Sequence, residues 1–304
     1  MRRRPDLTLG PGAATGRRDG IRLEEGRSSA WQRRLHRACL RARPTQLGAI
    51  LKVLTRVRRE YAETAGGPWL WVDPASQLGS EVLSARDYEP SMSATLRALL
   101  RPGDVFVDVG ANEGFFSVVG SSLVGHGRVV AIEPQTRLIG VVLRNLEING
   151  CRNVTLRAVA LDLSTGWSEL HLRPSTNTGA SGLFRRRFDV STESVPALRL
   201  DDVLDQEGVD RVRVLKVDCE GAEDRVVEGT LDHLVSHRVD FLLMEYHPSI
   251  GSGARERSLA LHARLLDLGY VLSRSLDRHI YHCVGAELDL ASLGEVRTGV
   301  APTL

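Results

Sequence analysis

The stretch 105–134 decides the fold of this chain, and it reads VFVDVGANEGFFSVVGSSLVGHGRVVAIEP. Val105–Val109 is a short apolar run that predicts a buried strand, and the glycine-rich turn after it leads into a helical pattern over Phe116–Leu123. Val129–Ile132 is a second apolar run, and Leu138–Ile148 is a second helical pattern. Strands that alternate with helices of this length indicate βαβ units on a parallel sheet.

The alternation continues toward the carboxyl end of the chain. Residues 167–195 interrupt it with sequence typical of hairpins and loops. We expect further strands at 154–161, 212–217 and 241–244, helices near 200–206, 222–235 and 256–268, and closing strands near 270–274 and 279–284. The pattern therefore predicts an α/β fold built on a mostly parallel sheet.

The region before residue 105 has a different pattern. Apolar spacing predicts helices over 31–43 and 46–62, separated by Pro44, and a third helix at about 91–100. Short β-rich runs lie at 69–72 and 81–85. Residues 1–30 are rich in Gly and Arg and have almost no apolar periodicity, so we expect disorder there. The predicted division is a tail over 1–30, a basic helical extension over 31–66 and a main domain over 67–304.

Composition bounds the class of protein. The chain has 304 residues, of which 42% are hydrophobic and 26% charged, as in ordinary globular proteins. No run approaches the roughly 18 uninterrupted apolar residues of a membrane helix, and the arginine-rich start lacks the apolar core of a secretory leader. The four cysteines lie far apart without a Cys-x-x-Cys pair, so we expect a cytoplasmic protein without structural zinc or disulfides.

The net charge of +2 conceals an uneven distribution. Residues 1–60 contain 16 Arg and Lys against five Asp and Glu, whereas the rest of the chain is net acidic. The basic helical pair is either a cap packed on the main domain or a surface that attracts acidic lipids or nucleic acid. Weak surface association through residues 31–60 therefore remains open.

Candidate ligand-binding residues follow the first predicted strand. In parallel sheets of this kind, ligands lie beyond the carboxyl ends of the strands. The candidates here are Asp108, Gly110, Ala111, Asn112 and Gly114. The spacing is Gly-x-x-x-Gly rather than the dinucleotide spacing, and Glu113 at the helix start disfavours a pyrophosphate. The turn better suits a ligand with an amino-acid portion and a cationic centre, although it is also compatible with a simple tight turn.

The second and third strand ends add a nucleoside pattern. Glu133 follows the second strand, where a carboxylate can accept both hydroxyls of a ribose or merely cap the next helix. Ala160, Leu161 and Asp162 end the third strand, and they could meet an adenine edge, with Asp162 accepting from the adenine amino group. Taken together, the three ends predict S-adenosylmethionine as the cofactor.

Acidic residues follow the fourth and fifth strands. Asp218 and Glu220 alternate with apolar residues, so both can point to one side, and neighbouring carboxylates raise one another's proton affinity as a general base requires. Glu245 and His247 follow the adjacent strand. A structural alternative is that Asp218 orders the turn and Glu220 caps the following helix. We treat these four residues as catalytic candidates.

These motifs resemble one known family. DVGANEGFFS, AIEP, AVALDLSTG, the LDD at 200–202, LKVDCEGAE and MEYHP are similar, in order and spacing, to the FkbM family of S-adenosylmethionine-dependent methyltransferases over about residues 69–285. The resemblance implies a class I methyltransferase (Rossmann-like) fold, with a seven-stranded mostly parallel sheet and helices on both faces, plus the N-terminal helical extension. It also implies O-methylation of a small hydroxylated or carbohydrate acceptor.

The expected mechanism leaves the identity of the base open. Asp218 or Glu220 would accept the proton of the acceptor hydroxyl, or His247 would do so if Glu245 orients its ring. No metal is expected, and a divalent ion held by Asp218, Glu220 and Glu245 is the weaker alternative. The interruption at 167–195, which includes Arg185–Arg187, would supply the acceptor pocket.

Three other classes of function compete with this prediction. A nicotinamide dehydrogenase would need the dinucleotide spacing of phosphate-binding glycines, which this chain lacks. A nucleic-acid methyltransferase would use the basic N-terminal segment, but the main domain is net acidic, so no nucleic acid is expected. A non-catalytic binding protein could keep the same fold. The acceptor and the oligomeric state are not readable from the residues.

Overall fold

The computed structural model describes residues 28–187, 189–245, 247, 250–275, 278–283 and 296–298. The predicted disorder of the tail therefore lies, apart from residues 28–30, outside the described residues. The helices are α1 Ala30–Arg41, α2 Thr45–Leu54, α3 Gln77–Ala85, α4 Pro90–Leu99, α5 Phe115–Val124, α6 Thr136–Ile148, α7 Leu200–Gln206, α8 Glu223–Glu228, α9 Leu231–Val235 and α10 Ala254–Asp267.

The strands run from the N-terminal region to the last described segment. They are β1 Glu60–Glu63, β2 Trp69–Val72, β3 Val105–Val109, β4 Arg128–Ile132, β5 Val154–Arg157, β6 Ala160–Leu161, β7 Gly166–Leu172, β8 Ser191–Leu198, β9 Val212–Val217, β10 Val239–Met244, β11 Tyr270–Ser275, β12 Arg278–Cys283 and β13 Val296–Thr298. Among the residues that the structure describes, no helix has both the length and the apolar content to cross a membrane.

The central sheet confirms the predicted α/β fold. Its strand order is β13-β11-β12-β10-β9-β3-β4-β5, and the five strands from β10 to β5 are parallel. Strands β12 and β11 add antiparallel pairs. The seven strands predicted from residue 105 onward all contribute to this sheet, the third only through its first half, and β13 extends it at the edge.

Side-chain alternation on the strands builds a core on each face of the sheet. In β3, Phe106 packs into one cluster with residues of α4, α5 and α6, whereas Val107 packs into a second cluster with residues of α7 to α10. Because successive residues of a strand point to opposite faces, continuous apolar runs become strands buried on both sides. Helices therefore cover both faces, as the sequence predicts.

The predicted third strand, 154–161, is divided between two sheets. Val154–Arg157 pairs with β4 in the central sheet, whereas Ala160 and Leu161 pair in parallel with Ala197 and Leu198 of β8. Strand β8 also pairs with β7, which confirms the hairpin predicted within 167–195. The division moves the end of this predicted strand out of the central sheet.

Two predictions in the N-terminal region are wrong. Residues 81–85 lie in α3 rather than in a strand, because Ser76 accepts the N–H of Gly79 and caps this helix. The helix predicted over 46–62 ends at Leu54, and Arg56 adopts a left-handed φ of 52°. Strand β1 then pairs antiparallel with β2, so the boundary predicted at 66–67 falls inside a β-hairpin.

The helix predicted over 222–235 is interrupted. It forms α8 and α9, with Gly229 and Thr230 between them. The hydroxyl of Thr230 donates to the carbonyl of Val226, which gives the chain an alternative to a continuous helical ladder. The remaining helices and strands begin and end close to their predicted positions.

Candidate active site

A cleft lies beyond the carboxyl ends of β3, β4, β9 and β10. It brings together ten of the thirteen predicted site residues: Gly110, Ala111, Asn112, Glu133, Ala160, Leu161, Asp218, Glu220, Glu245 and His247. The other three, Asp108, Gly114 and Asp162, lie outside its lining. The chain segments that the motifs single out thus converge on one cavity.

The turn after β3 is shaped by close backbone packing. Gly110 has a φ of 79°, and a Cβ there would lie 1.8 Å from the carbonyl oxygen of Asp218. Gly114 has a φ of 84° and begins α5, where a Cβ would lie 3.1 Å from Val142. Both positions therefore require glycine on conformational grounds, and Gly110 also on steric grounds.

Glu133 forms the carboxylate wall of the cleft. Its side chain is 2% exposed, and its two oxygens accept the N–H groups of Asn112 and Gln135, each at 2.8 Å. Burial raises the pKa of Glu133 to about 7, although the two backbone N–H groups favour the charged form. Each carboxylate oxygen retains a lone pair for a ligand hydroxyl. This donor set and the buried walls at Ile132 and Leu161 fit a nucleoside.

Asp108 is buried near the end of β3. Its side chain is fully buried, accepts the hydroxyl of Ser117 at 2.7 Å and lies 3.4 Å from the Nζ of Lys216. Asp108 does not line the cleft, and the cofactor contact predicted for it stays a prediction.

Two acidic residues near the cleft are paired with arginines. Asp162 accepts hydrogen bonds from the guanidinium of Arg225 at 2.9 and 3.0 Å and from the hydroxyl of Ser168 at 2.8 Å. It does not line the cleft, and the adenine contact predicted for it stays a prediction. Glu113 is 1% exposed and pairs with Arg59 at 2.7 Å. The carboxylate that was expected to disfavour a pyrophosphate at this helix start is therefore paired with an arginine from the N-terminal region.

The strand register explains why the acidic end of the cleft is compact. Val217 of β9 is paired with Met244 of β10, so Asp218 and Glu245 each follow a paired residue. The N–H of Glu245 donates to the carbonyl of Val217 at 3.0 Å. Asp218, Glu245 and His247 each place one potential ligand atom within 4.8 Å of the others.

His247 is hydrogen-bonded to Glu223, a partner that the sequence does not predict. Its Nδ1 lies 2.9 Å from Oε1 of Glu223, which is 5% exposed, and its Nε2 lies 3.7 Å from Oε2 of Glu220. Burial alone would lower the pKa of His247, but the Glu223 bond and the nearby carboxylates outweigh it and raise the pKa to about 9. The ring is therefore an imidazolium at neutral pH and can donate a proton but not accept one.

Glu220 is engaged by an arginine from the hairpin connection. The Nη1 of Arg186 donates to Oε2 of Glu220 at 3.1 Å. Burial raises the pKa of Glu220, with the charge of Asp218 adding to this effect and the cations His247 and Arg186 opposing it. Residues 177–179 and 181–183 of the same connection line the cleft, and the acceptor pocket predicted for this connection stays a prediction.

Three lining or supporting residues were missed from the sequence. Lys216 is 2% exposed, lines the cleft and lies 3.7 Å from Oδ2 of Asp218. Its signal was a lysine within an apolar strand of a chain that has only two lysines. Glu223 stands in the quoted motif LKVDCEGAE without an assigned role. Tyr88 lines the cleft and packs edge-on against Phe115 at 5.7 Å, and no motif marks it.

Two methyltransferase family profiles match the chain. The profile described as "Protein-L-isoaspartate(D-aspartate) O-methyltransferase" matches residues 34–171, and that of the "Methyltransferase FkbM domain" matches residues 108–272. Together with the sheet and its cleft, these matches define a class I S-adenosylmethionine-dependent methyltransferase domain. The FkbM profile spans more than half of the chain, and the chain therefore belongs to the methyltransferase FkbM domain family.

Individual relatives are more distant. The AMB antimetabolite synthetase AmbE of Pseudomonas aeruginosa is 27% identical over 254 residues, which are 69% of this chain, and the chain spans only 12% of that curated relative. The O-methyltransferase TomG of Streptomyces achromogenes has a TM-score of 0.43 and 13% identity, covering 66% of this chain and 82% of its own. A putative rRNA-methylase of Clostridium thermocellum has a TM-score of 0.42 and 12% identity, covering 63% of this chain and 92% of its own. These likenesses do not name an acceptor.

Proposed function

We propose that this chain transfers the methyl group of S-adenosylmethionine to a hydroxyl oxygen of a small-molecule or carbohydrate acceptor. The observation that carries the proposal is the compact cluster of Asp218, Glu220, Glu245 and His247 in the same cleft as Glu133. When bound, the cofactor supplies an electrophilic methyl group. The residues of the chain must place the acceptor oxygen in line with it and remove the hydroxyl proton.

Cofactor binding is assigned to the carboxylate wall and the glycine turn. Glu133 would accept the ribose hydroxyls, and Gly110 and Ala111 would let the backbone approach the amino-acid portion. Asn112 would help to fix this arrangement, since its N–H already donates to Glu133 at 2.8 Å. Ala160 and Leu161, both buried in the cleft lining, would provide an apolar wall for the adenine.

Asp218 is the favoured proton acceptor of the cluster. Glu220 is hydrogen-bonded by Arg186, and His247 is already protonated at neutral pH. The carboxylate of Asp218 is partly exposed to the cleft, and the Nζ of Lys216 lies 3.7 Å from its Oδ2, beyond hydrogen-bond distance. His247 would instead orient the acceptor by donating from Nε2, and Glu223 would act as its positioning residue.

Asp218→Asn tests this assignment. We expect kcat to fall by about 10²–10⁴-fold, because the amide cannot accept the hydroxyl proton, while the cofactor affinity stays unchanged. Turnover is measured as transfer of labelled methyl from S-adenosylmethionine into small molecules of cell extract, detected by mass spectrometry. Cofactor affinity is measured by calorimetry.

Two results would contradict the proposal. Wild-type turnover of the Asp218→Asn variant would remove this residue from the role of base. Label recovered in RNA instead of small molecules would overturn the acceptor class. Asp224→Asn, a neighbouring acidic residue outside the cleft lining, serves as the matched control and should transfer label at the wild-type rate.

A further inference from the structure

Helix α2 is apolar but exposed. Its sequence is TQLGAILKVL, and Gly48 is the only one of its residues that is buried. The exposed fractions of Leu47, Ile50, Val53 and Leu54 are 44%, 55%, 74% and 72%. A helix that is apolar on most sides is normally buried in a globular protein. The described part of the chain leaves this one facing outward.

The exposed side chains form a coherent surface. Leu47, Ile50 and Leu54 follow helical i, i+3, i+7 spacing and share one side of α2, with Val53 beside them. The backbone of α2 approaches α1 closely, since a Cβ on Gly48 would lie 2.1 Å from the carbonyl oxygen of Cys39. On α1, Trp31 is 65% exposed. We call Leu47, Ile50, Val53 and Leu54 the α2 face.

Arginines flank the α2 face at both ends. Arg43 precedes the helix, Arg56 and Arg58 follow it, and all three are exposed. Residues 28–60 carry nine basic side chains against a single acidic one, Glu60. An apolar face between clusters of cations is the distribution found in helices that lie in the plane of a lipid interface.

We propose that α1 and α2 dock the protein on an anionic lipid surface. The α2 face would enter the boundary of the acyl chains, while the flanking arginines would reach the lipid phosphates. Ten residues span about 15 Å of helix, so α2 is suited to lie along the interface and not to cross it. A second copy of the chain is a poorer occupant, because two faces of the same strong positive charge repel each other.

Polar contacts join α2 and the residues after it to the methyltransferase domain. The Nζ of Lys52, in α2, pairs with Asp73 and donates to the carbonyl of Ser175 at 3.1 Å. The guanidinium of Arg59 pairs with Glu113 at the start of α5. Docking through α2 would therefore give the cleft a fixed orientation relative to the lipid surface. This proposal does not depend on the identity of the acceptor.

Vesicle sedimentation of the full chain tests the proposal. We expect binding to vesicles that contain phosphatidylglycerol, none to pure phosphatidylcholine vesicles, and weakening with salt. Val53→Ser combined with Leu54→Ser should abolish sedimentation, and Arg56→Gln combined with Arg58→Gln should weaken it roughly thirtyfold. Both pairs are exposed, so the fold should persist, as circular dichroism would verify.

Matched controls remove equivalent groups elsewhere. Val235→Ser with Leu266→Ser, exposed at 57% and 45%, and Arg152→Gln with Arg238→Gln should leave vesicle binding unchanged. The proposal is overturned if the wild type ignores anionic vesicles or if the Val53/Leu54 variant binds them as well as the wild type. A dimer in sedimentation equilibrium that the Val53/Leu54 variant abolishes would assign the face to a second copy instead.

Discussion

At the scale of single residues, Glu133 is a buried carboxylate that lines the cleft and is proposed to bind the cofactor. Glu133→Gln should weaken S-adenosylmethionine binding about ten- to a hundredfold, because it removes a charged acceptor of hydrogen bonds. Burial raises the pKa of Glu133 to about 7, so the carboxylate is progressively protonated below that pH. Affinity of the wild type should therefore fall as the pH drops from 8 to 6, and the Gln variant should lose this dependence. Calorimetric titration at several pH values measures both effects, and a pH-independent wild type would contradict the assignment.

Glu223 acts on the charge of His247. The pKa of His247 is raised to about 9, against the effect of burial, chiefly by its hydrogen bond with Glu223. Glu223→Gln should shift this pKa downward, toward the value of about 6.5 for a free imidazole, so the ring would lose its proton at a lower pH. Because a raised pKa stabilises the fold below about pH 6.5 and loses that contribution up to pH 9, the variant should also be less stable in the acid range.

NMR titration of the His247 ring, assigned with a His247→Gln spectrum, measures the shift directly. Glu228→Gln on the same helix is exposed and should leave the titration unchanged. An unchanged His247 titration in the Glu223 variant would show that the bond does not set the charge of the ring.

At the scale of the elements, Arg59 links the lead-in of β1 to the start of α5. Arg59→Ala would leave Glu113, 1% exposed, without this cation, and we expect the free energy of unfolding to fall by about 3–5 kcal/mol. This loss of stability should grow with pH. Burial raises the pKa of Glu113, and at higher pH the variant must bury the charged carboxylate without the guanidinium of Arg59. Urea unfolding at pH 5.5 and pH 8 tests this, and the double variant Arg59→Ala/Glu113→Gln should recover part of the stability. A loss under about 1 kcal/mol would mean that the pair behaves like a surface ion pair.

The elements also show where sequence reasoning succeeds. The bounds of β3, β9 and α7 agree with the prediction. For the two strands the reason is that a strand buried on both faces is a continuous apolar run whose ends are marked by turn residues. The divided strand over 154–161 was not predictable, since its second half pairs with β8, far away in the chain. The apolar residues within 81–85 are compatible with a strand or a helix, and the N-cap at Ser76 favours the helix.

At the cleft, the residues at the strand ends could be predicted from the sequence, because the carboxyl ends of parallel strands meet at one edge of the sheet. Their partners could not be located, because the arginines that pair with these acidic groups come from distant segments of the chain. The pairs are Arg59 with Glu113, Arg186 with Glu220 and Arg225 with Asp162. The sequence thus predicts which acidic residues lie at the strand ends, whereas the arginines that pair with them are determined by the tertiary fold.

At the scale of the whole molecule, charge and shape are divided between two regions. The basic segment up to Glu60 carries the α2 face, and the acidic remainder carries the cleft. Hairpin β1–β2 and the ion pairs of Lys52 and Arg59 connect the two. A surface with this polarity would draw the basic segment, and not the cleft, toward an anionic layer.

Gly110 lies so close to the carbonyl of Asp218 that the glycine turn, proposed to bind the cofactor, and the acidic cluster, proposed to face the acceptor, share one floor of the cleft. Parallel pairing of Val109 with Val217, and the N–H of Asp218 donating to the carbonyl of Val109 at 3.2 Å, fasten that floor to the middle of the sheet. If S-adenosylmethionine and an alcohol occupy the cleft as proposed, this sheet backbone sets the distance between the reacting atoms. Preference for a larger or smaller alcohol would then depend on residues 177–179 and 181–183, which line the cleft from a separate connection.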